Sequence, residues 1–176
     1  MAKKNFHNNA ASSNGSNAGK SENALSPEVA DVLAKVRQLL DQGTPEKAFD
    51  IITRSKLSSP WLVNATGVCA LRIGNAKQAA GVFQGLVGHL GVMLKADSPM
   101  VFKTNFAVAL LASNNTAGCL SVLHEIHQED HPTVQRLRAA IAQWKRGLSL
   151  WQRLKWYTGD IPMKPVPLDF PLGELE

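Results

Sequence analysis

Three chain breaks, at Gly43, Gly74 and Asn114, carry the same flanking pattern, and that recurrence restricts the fold more than any other feature of the sequence. Seven residues before the breaks stand Val36, Gly67 and Ala107, and four before them stand Leu39, Ala70 and Leu110. Five residues after them come Ala48, Ala79 and Cys119, and nine after come Ile52, Phe83 and Leu123. Small residues let the two helices of a hairpin approach, and larger ones fill the layer between neighbouring hairpins. Such a chain is expected to be all-α, a stack of antiparallel helix pairs in which each pair needs its neighbours to bury its apolar face.

Helix starts are equally regular. Ser26-Pro27-Glu28 and Thr44-Pro45-Glu46 each offer a capping hydroxyl, a proline suited to the first helical position and an acid facing the positive end of the dipole. Ser59-Pro60 opens a third helix, Asn75 caps a fourth after Gly74, Asp97-Ser98-Pro99 opens a fifth, and Ala117 to about Gln128 makes a sixth. The first helix turns Val29, Val32, Leu33, Val36, Leu39 and Leu40 to one side. The second turns Ala48, Phe49, Ile52 and Leu57 inward. The best-formed pair runs from Trp61 to Phe83, with Val63, Gly67, Ala70 and Leu71 on one helical face and Ala79, Phe83 and Leu86 on the next.

The series Val63, Gly67, Ala70, Gly74, Ala79, Phe83 resembles the tetratricopeptide-repeat signature. Asn105-Phe106-Ala107 with Leu110, Cys119 and Leu123 is similar to it, and the first copy keeps Leu39, Gly43, Ala48 and Pro60. The breaks lie 31 and 40 residues apart, on either side of the family period of about 34. The likeness covers about residues 27–131 and implies an α-α superhelix of about three repeats (27–58, 59–95 and 98–130). A long capping helix, 132–158, follows, then an extended Pro-rich C-terminal segment, 159–176. It further implies a non-catalytic protein–protein interaction scaffold or adaptor that takes a peptide in its concave groove. Groove positions implied by the family are Leu33, Arg37 and Leu40; Trp61, Asn64, Val68 and Arg72; and Val101, Thr104, Val108 and Leu111. This set lacks the Lys/Asn pattern with which some family members clamp a terminal carboxylate. It reads as a largely apolar groove with Arg37 and Arg72 available to an acidic side chain.

Charge separates the ends from the middle. Residues 27–131 hold nine basic and nine acidic side chains, whereas 132–176 hold seven basic and four acidic ones. A uniformly basic nucleic-acid-binding face is not what this distribution describes. From Pro132 to Tyr157 a seam of Val134, Leu137, Ile141, Trp144, Leu148 and Trp151 predicts one long helix packed on a neighbour. No acid falls within it, and Arg146, Arg153, Lys155 and Trp156 form a basic, aromatic surface. That surface supports the alternative function, attachment to an anionic membrane surface or to nucleic acid, ranked behind a protein or peptide partner. Self-association through the open end of the stack or the tail is a third possibility. Beyond Gly159 four prolines forbid helix, while Val166, Leu168 and Phe170 alternate with Pro167 and Asp169 to give one apolar edge. That segment is expected to lie along a helix groove of the domain or to dock on another protein.

Residues 1–25, with six Asn, four Ser and two Gly, lack the apolar content to offset ordering entropy and read as a disordered polar tail, with Phe6 its one docking candidate. Gly85, Gly88 and Gly91 weaken the end of the fourth helix, giving a kinked end or a flexible flap. Cys69 and Cys119 fall on small core positions and read as reduced, buried thiols of a cytoplasmic protein. His124, His127 and His131, with Glu125, Glu129 and Asp130 near them, would share a face only if the helix ran that far; Pro132 argues that it does not, and no metal site is expected. No phosphate-binding glycine loop, nucleophile elbow or zinc-protease motif occurs, and no cofactor or catalytic residue is assigned.

Overall fold

The computed structural model describes residues 25–89, 93–162 and 164–176. The expectations for the polar tail up to Ala24, for Phe6 and for Gly91 lie outside the described residues. Within them the chain is predominantly helical: α1 Pro27–Asp41, α2 Pro45–Ser55, α3 Pro60–Arg72, α4 Ala76–Val87, α5 Met100–Ala112, α6 Thr116–Glu125, α7 Pro132–Arg146 and α8 Leu150–Tyr157. A short antiparallel ribbon follows α4, β1 (Gly88–His89) pairing with β2 (Met93–Leu94), and the Glu125 side chain accepts a 2.8 Å hydrogen bond from the Leu94 amide.

The start signals act as caps. Ser26 accepts from the Val29 amide, Ser59 from Trp61, Asn75 from Gln78 and Asn115 from Gly118. Two starts differ: the Thr44 hydroxyl donates back to the Leu39 carbonyl at 3.0 Å instead of capping α2, and α5 begins after Pro99 with no side-chain cap. The breaks are one repeated device. Gly43, Gly74 and Asn114 take positive φ values of 69°, 92° and 65°. Each break then closes with a six-residue bond: Thr44 amide to Leu39 carbonyl, Asn75 to Ala70 and Asn115 to Leu110. The residues four before each break thus matter twice, as packing and as acceptors.

Consecutive helices pack from α1 through α6, and α1 also touches α3, α3 touches α5, and α5 touches α7. The odd-numbered helices therefore line one side together. Gly67 marks a close approach within a pair: a Cβ there would sit 2.5 Å from the Phe83 ring, which is itself fully buried.

Several expectations need correcting. The predicted helix 132–158 is two helices: Gly147 ends α7, and Ser149 with Gln152 forms a capping box that starts α8 anew. The apolar seam holds through Val134, Leu137, Ile141, Trp144 and Leu148, all buried, but Trp151 lies beyond the break and is 69% exposed. On α3, Val63 is 41% exposed, and the inward position beside it belongs to Asn64. Leu57 is exposed because α2 stops at Ser55 and Lys56 turns the chain at φ 53°. Helix α6 ends at Glu125, so His127 falls in the following loop and His131 caps α7 through its Nδ1.

Candidate functional site: the face of the odd helices

A polar position in a buried helix face is costly unless every donor and acceptor finds a partner. Two such residues, Asn64 on α3 and Asn105 on α5, are almost wholly buried, and their partners reveal the site. Asn105 Nδ2 donates to Asn64 Oδ1 at 2.8 Å and to the Glu174 carbonyl at 2.7 Å, while its Oδ1 accepts from the Glu174 amide at 2.9 Å. Asn64 Nδ2 in turn donates to the carbonyls of Glu174 and Leu175, each at 3.2 Å. The two amides face a stretch of the chain's own backbone, lying more than 60 residues away in sequence, and hold it much as a neighbouring strand would.

Arg72, in the last turn of α3, extends the same ladder. Its Nε donates to the Leu172 carbonyl and its Nη2 to the Gly173 carbonyl, both at 3.3 Å, while Nη1 is tied to the Leu40 carbonyl of α1 at 3.4 Å. Four successive carbonyls, 172 to 175, are therefore each taken by a side chain of the helical face.

Side chains of the segment are held as well. Gly173 has φ +81°, a conformation L-residues rarely adopt, and a Cβ there would lie 3.1–3.3 Å from Val68 and Leu71. The Glu174 carboxylate accepts from the Thr133 hydroxyl at 2.8 Å and lies 3.7 Å from Arg136, both on α7. Leu175 is buried, and Glu176 pairs with Arg37 of α1 at 2.9 Å. Upstream, Val166 is buried, Leu168, Phe170 and Leu172 pack against the core, and Pro167 and Asp169 face outward. The Arg136 guanidinium sits 5.7 Å over the Phe170 ring. The expected apolar edge is thus present, lying along the domain.

The sequence-derived groove set divides under this geometry. Arg37, Asn64, Val68 and Arg72 contact the segment. Trp61 instead packs edge-on against Phe102 with ring centroids 5.0 Å apart. Thr104 donates to the Val101 carbonyl of its own helix at 3.0 Å, and Val101 and Val108 are core residues. Asn105, Thr133 and Arg136 were not among the expected groove residues. A lone amide in the apolar run MVFKTNFAVALLA is the one sequence signal that points to Asn105.

The basic end is arranged differently. Lys145 Nζ lies 4.9 Å over the Trp156 ring and 4.8 Å over Tyr157, and Trp156 packs on Trp144 with centroids 5.8 Å apart. Arg153 donates to the Arg146 carbonyl, and Lys155 pairs with Asp160 at 3.0 Å. Leu150, Trp151, Leu154 and Tyr157 are left exposed on α8.

Both cysteines are free and buried, and loss of hydration pushes each thiol up to about 12, against Arg72's opposing pull on Cys69. Among the described residues there is no cluster of three or more His, Cys, Asp or Glu that could hold a metal ion, and no helix long and apolar enough to cross a membrane. No family model, curated protein or solved structure matches the chain.

Proposed function

We propose that this protein is a non-catalytic adaptor, a tetratricopeptide-like stack of helix pairs whose odd-helix face binds an extended segment of a protein partner. The observation that carries this reading is the paired amide ladder of Asn64 and Asn105. Side chains that satisfy a strand-like backbone on both its donors and acceptors supply affinity without regard to sequence, as in recognition by added strands. The test is selection of displayed peptides on the full chain carrying Gly173→Val, which destabilises the resident segment, against the same chain with Asn64→Ala and Asn105→Ala added. Peptides recovered only when both Asn residues are present support the reading. Equal recovery from both chains refutes it.

A second reading rests on α8. Leu150, Trp151, Leu154 and Tyr157 project from a short helix flanked by Arg146, Arg153 and Lys155, an arrangement suited to the interface of an anionic bilayer. Vesicles with and without anionic phospholipid, titrated at low and high salt, test it through Trp fluorescence, with a Trp151→Ala variant as control. Salt-sensitive binding lost in that variant supports lipid attachment. Binding to an oligonucleotide but not to vesicles refutes it.

A further inference from the structure

Resting on the peptide-binding reading, we infer that the face of the odd helices selects an extended segment of the form glycine, acid, aliphatic, acid, and that residues 173–176 (Gly-Glu-Leu-Glu) are a built-in occupant which the partner must displace. The two kinds of contact have separate jobs. Bonds from Arg72, Asn64 and Asn105 reach carbonyls and one amide, so they do not themselves read side chains. Selection rests on what the side chains meet.

The first position is confined. The backbone is in the left-handed region, which favours glycine, and a Cβ would press on Val68 and Leu71 at 3.1–3.3 Å, so glycine is preferred on two grounds. The second position meets the Thr133 hydroxyl and Arg136, donors that fit a carboxylate. The third is buried and apolar in the resident segment. The fourth meets Arg37 at 2.9 Å. Because α1, α3, α5 and α7 each supply part of the site, only the assembled stack presents all four positions. An occupied site also lowers the apparent affinity for anything arriving from outside by the fraction of chains that are open.

The full chain with Gly173→Val and Glu174→Pro serves as the open form, since the first change collides with Val68 and the second removes the amide that Asn105 accepts. Amidated, fluorescein-labelled PLGELE is titrated into it and into the unaltered chain by anisotropy, with circular dichroism confirming equal helix content. The open form binds the peptide, and the unaltered chain binds it about tenfold or more weakly through competition. PLAELE and PLGQLQ each bind the open form about tenfold more weakly than PLGELE, and the PLGQLQ difference shrinks in high salt. An Arg37→Glu open form prefers PLGELK to PLGELE.

Equal binding of PLGELE, PLAELE and PLGQLQ overturns the selectivity while leaving a peptide-binding face in place. No binding of any of them to the open form overturns the peptide-binding reading itself. Equal binding of PLGELE to open and unaltered chains overturns the resident occupant.

Discussion

Asn105→Ala is the sharpest perturbation of this architecture. The substitution deletes two hydrogen bonds to the Glu174 peptide unit, at 2.7 and 2.9 Å, and one to Asn64 at 2.8 Å. A net value of about 1 kcal/mol for each of the two bonds to the segment, plus up to about 1 kcal/mol for the Asn64 oxygen left without its donor in a buried site, gives about 2–3 kcal/mol. That energy is spent on the docked segment, so it increases the population of the undocked state by about 30- to 150-fold. Amide hydrogen exchange measured by NMR reads it directly, because the Glu174 amide loses its acceptor, Asn105 Oδ1. Its exchange accelerates by that factor, and the amides of Leu175 and Glu176 follow if the segment opens as a unit. Amides inside α1, such as Val36, change far less. Unaltered exchange at Glu174 in a folded variant would show that the Asn ladder does not hold the segment and would refute the reasoning.

Three further outcomes follow from the packing. Arg72→Met releases the carbonyls of Leu172 and Gly173 while keeping its aliphatic stem, loosening the segment by about 1–2 kcal/mol in the same exchange measurement. Gly67→Ala places a methyl 2.5 Å from the Phe83 ring and lowers stability to urea by about 1–3 kcal/mol, with partial recovery when Phe83→Leu is added. Cys69 and Cys119 resist thiol-specific reagents at pH 8 until the protein is unfolded, as buried thiols pushed up to about 12 must. The folded-state value lies above the ordinary 9.0, so ionisation favours the unfolded chain. Stability is lost as pH rises from about 9 toward about 12, and Cys69→Ala with Cys119→Ala makes that fall shallower.

Local chemistry made the helices legible. Prolines preceded by hydroxyl residues, Asn caps and residues suited to positive φ act within four or five positions of where they stand, so Pro27, Pro60, Gly43, Gly74 and Asn114 could be placed without a partner in view. The apolar edge of Val166, Leu168 and Phe170 was readable for the same reason, since alternation is a property of the strand-like backbone alone. Errors arose where a local pattern ran across a local stop. The 3,4 seam continues in register past Leu148 to Trp151, yet Gly147 and the Ser149–Gln152 capping box interrupt the helix between them, and Trp151 is left outside.

What the sequence by itself determined was the first six helices, the breaks at Gly43, Gly74 and Asn114 and the extended character of the final segment, because each depends on neighbours a few residues away. Only the tertiary structure decided what the buried amides are for. Asn64 and Asn105 are 41 residues apart and Glu174 lies 69 beyond Asn105; no periodicity links them, and each alone looks like a defect in an apolar helix. Burial supplies the link. An amide shielded from water must be paired, and the stacking of α1, α3, α5 and α7 leaves the backbone of residues 172–175 as the partner within reach.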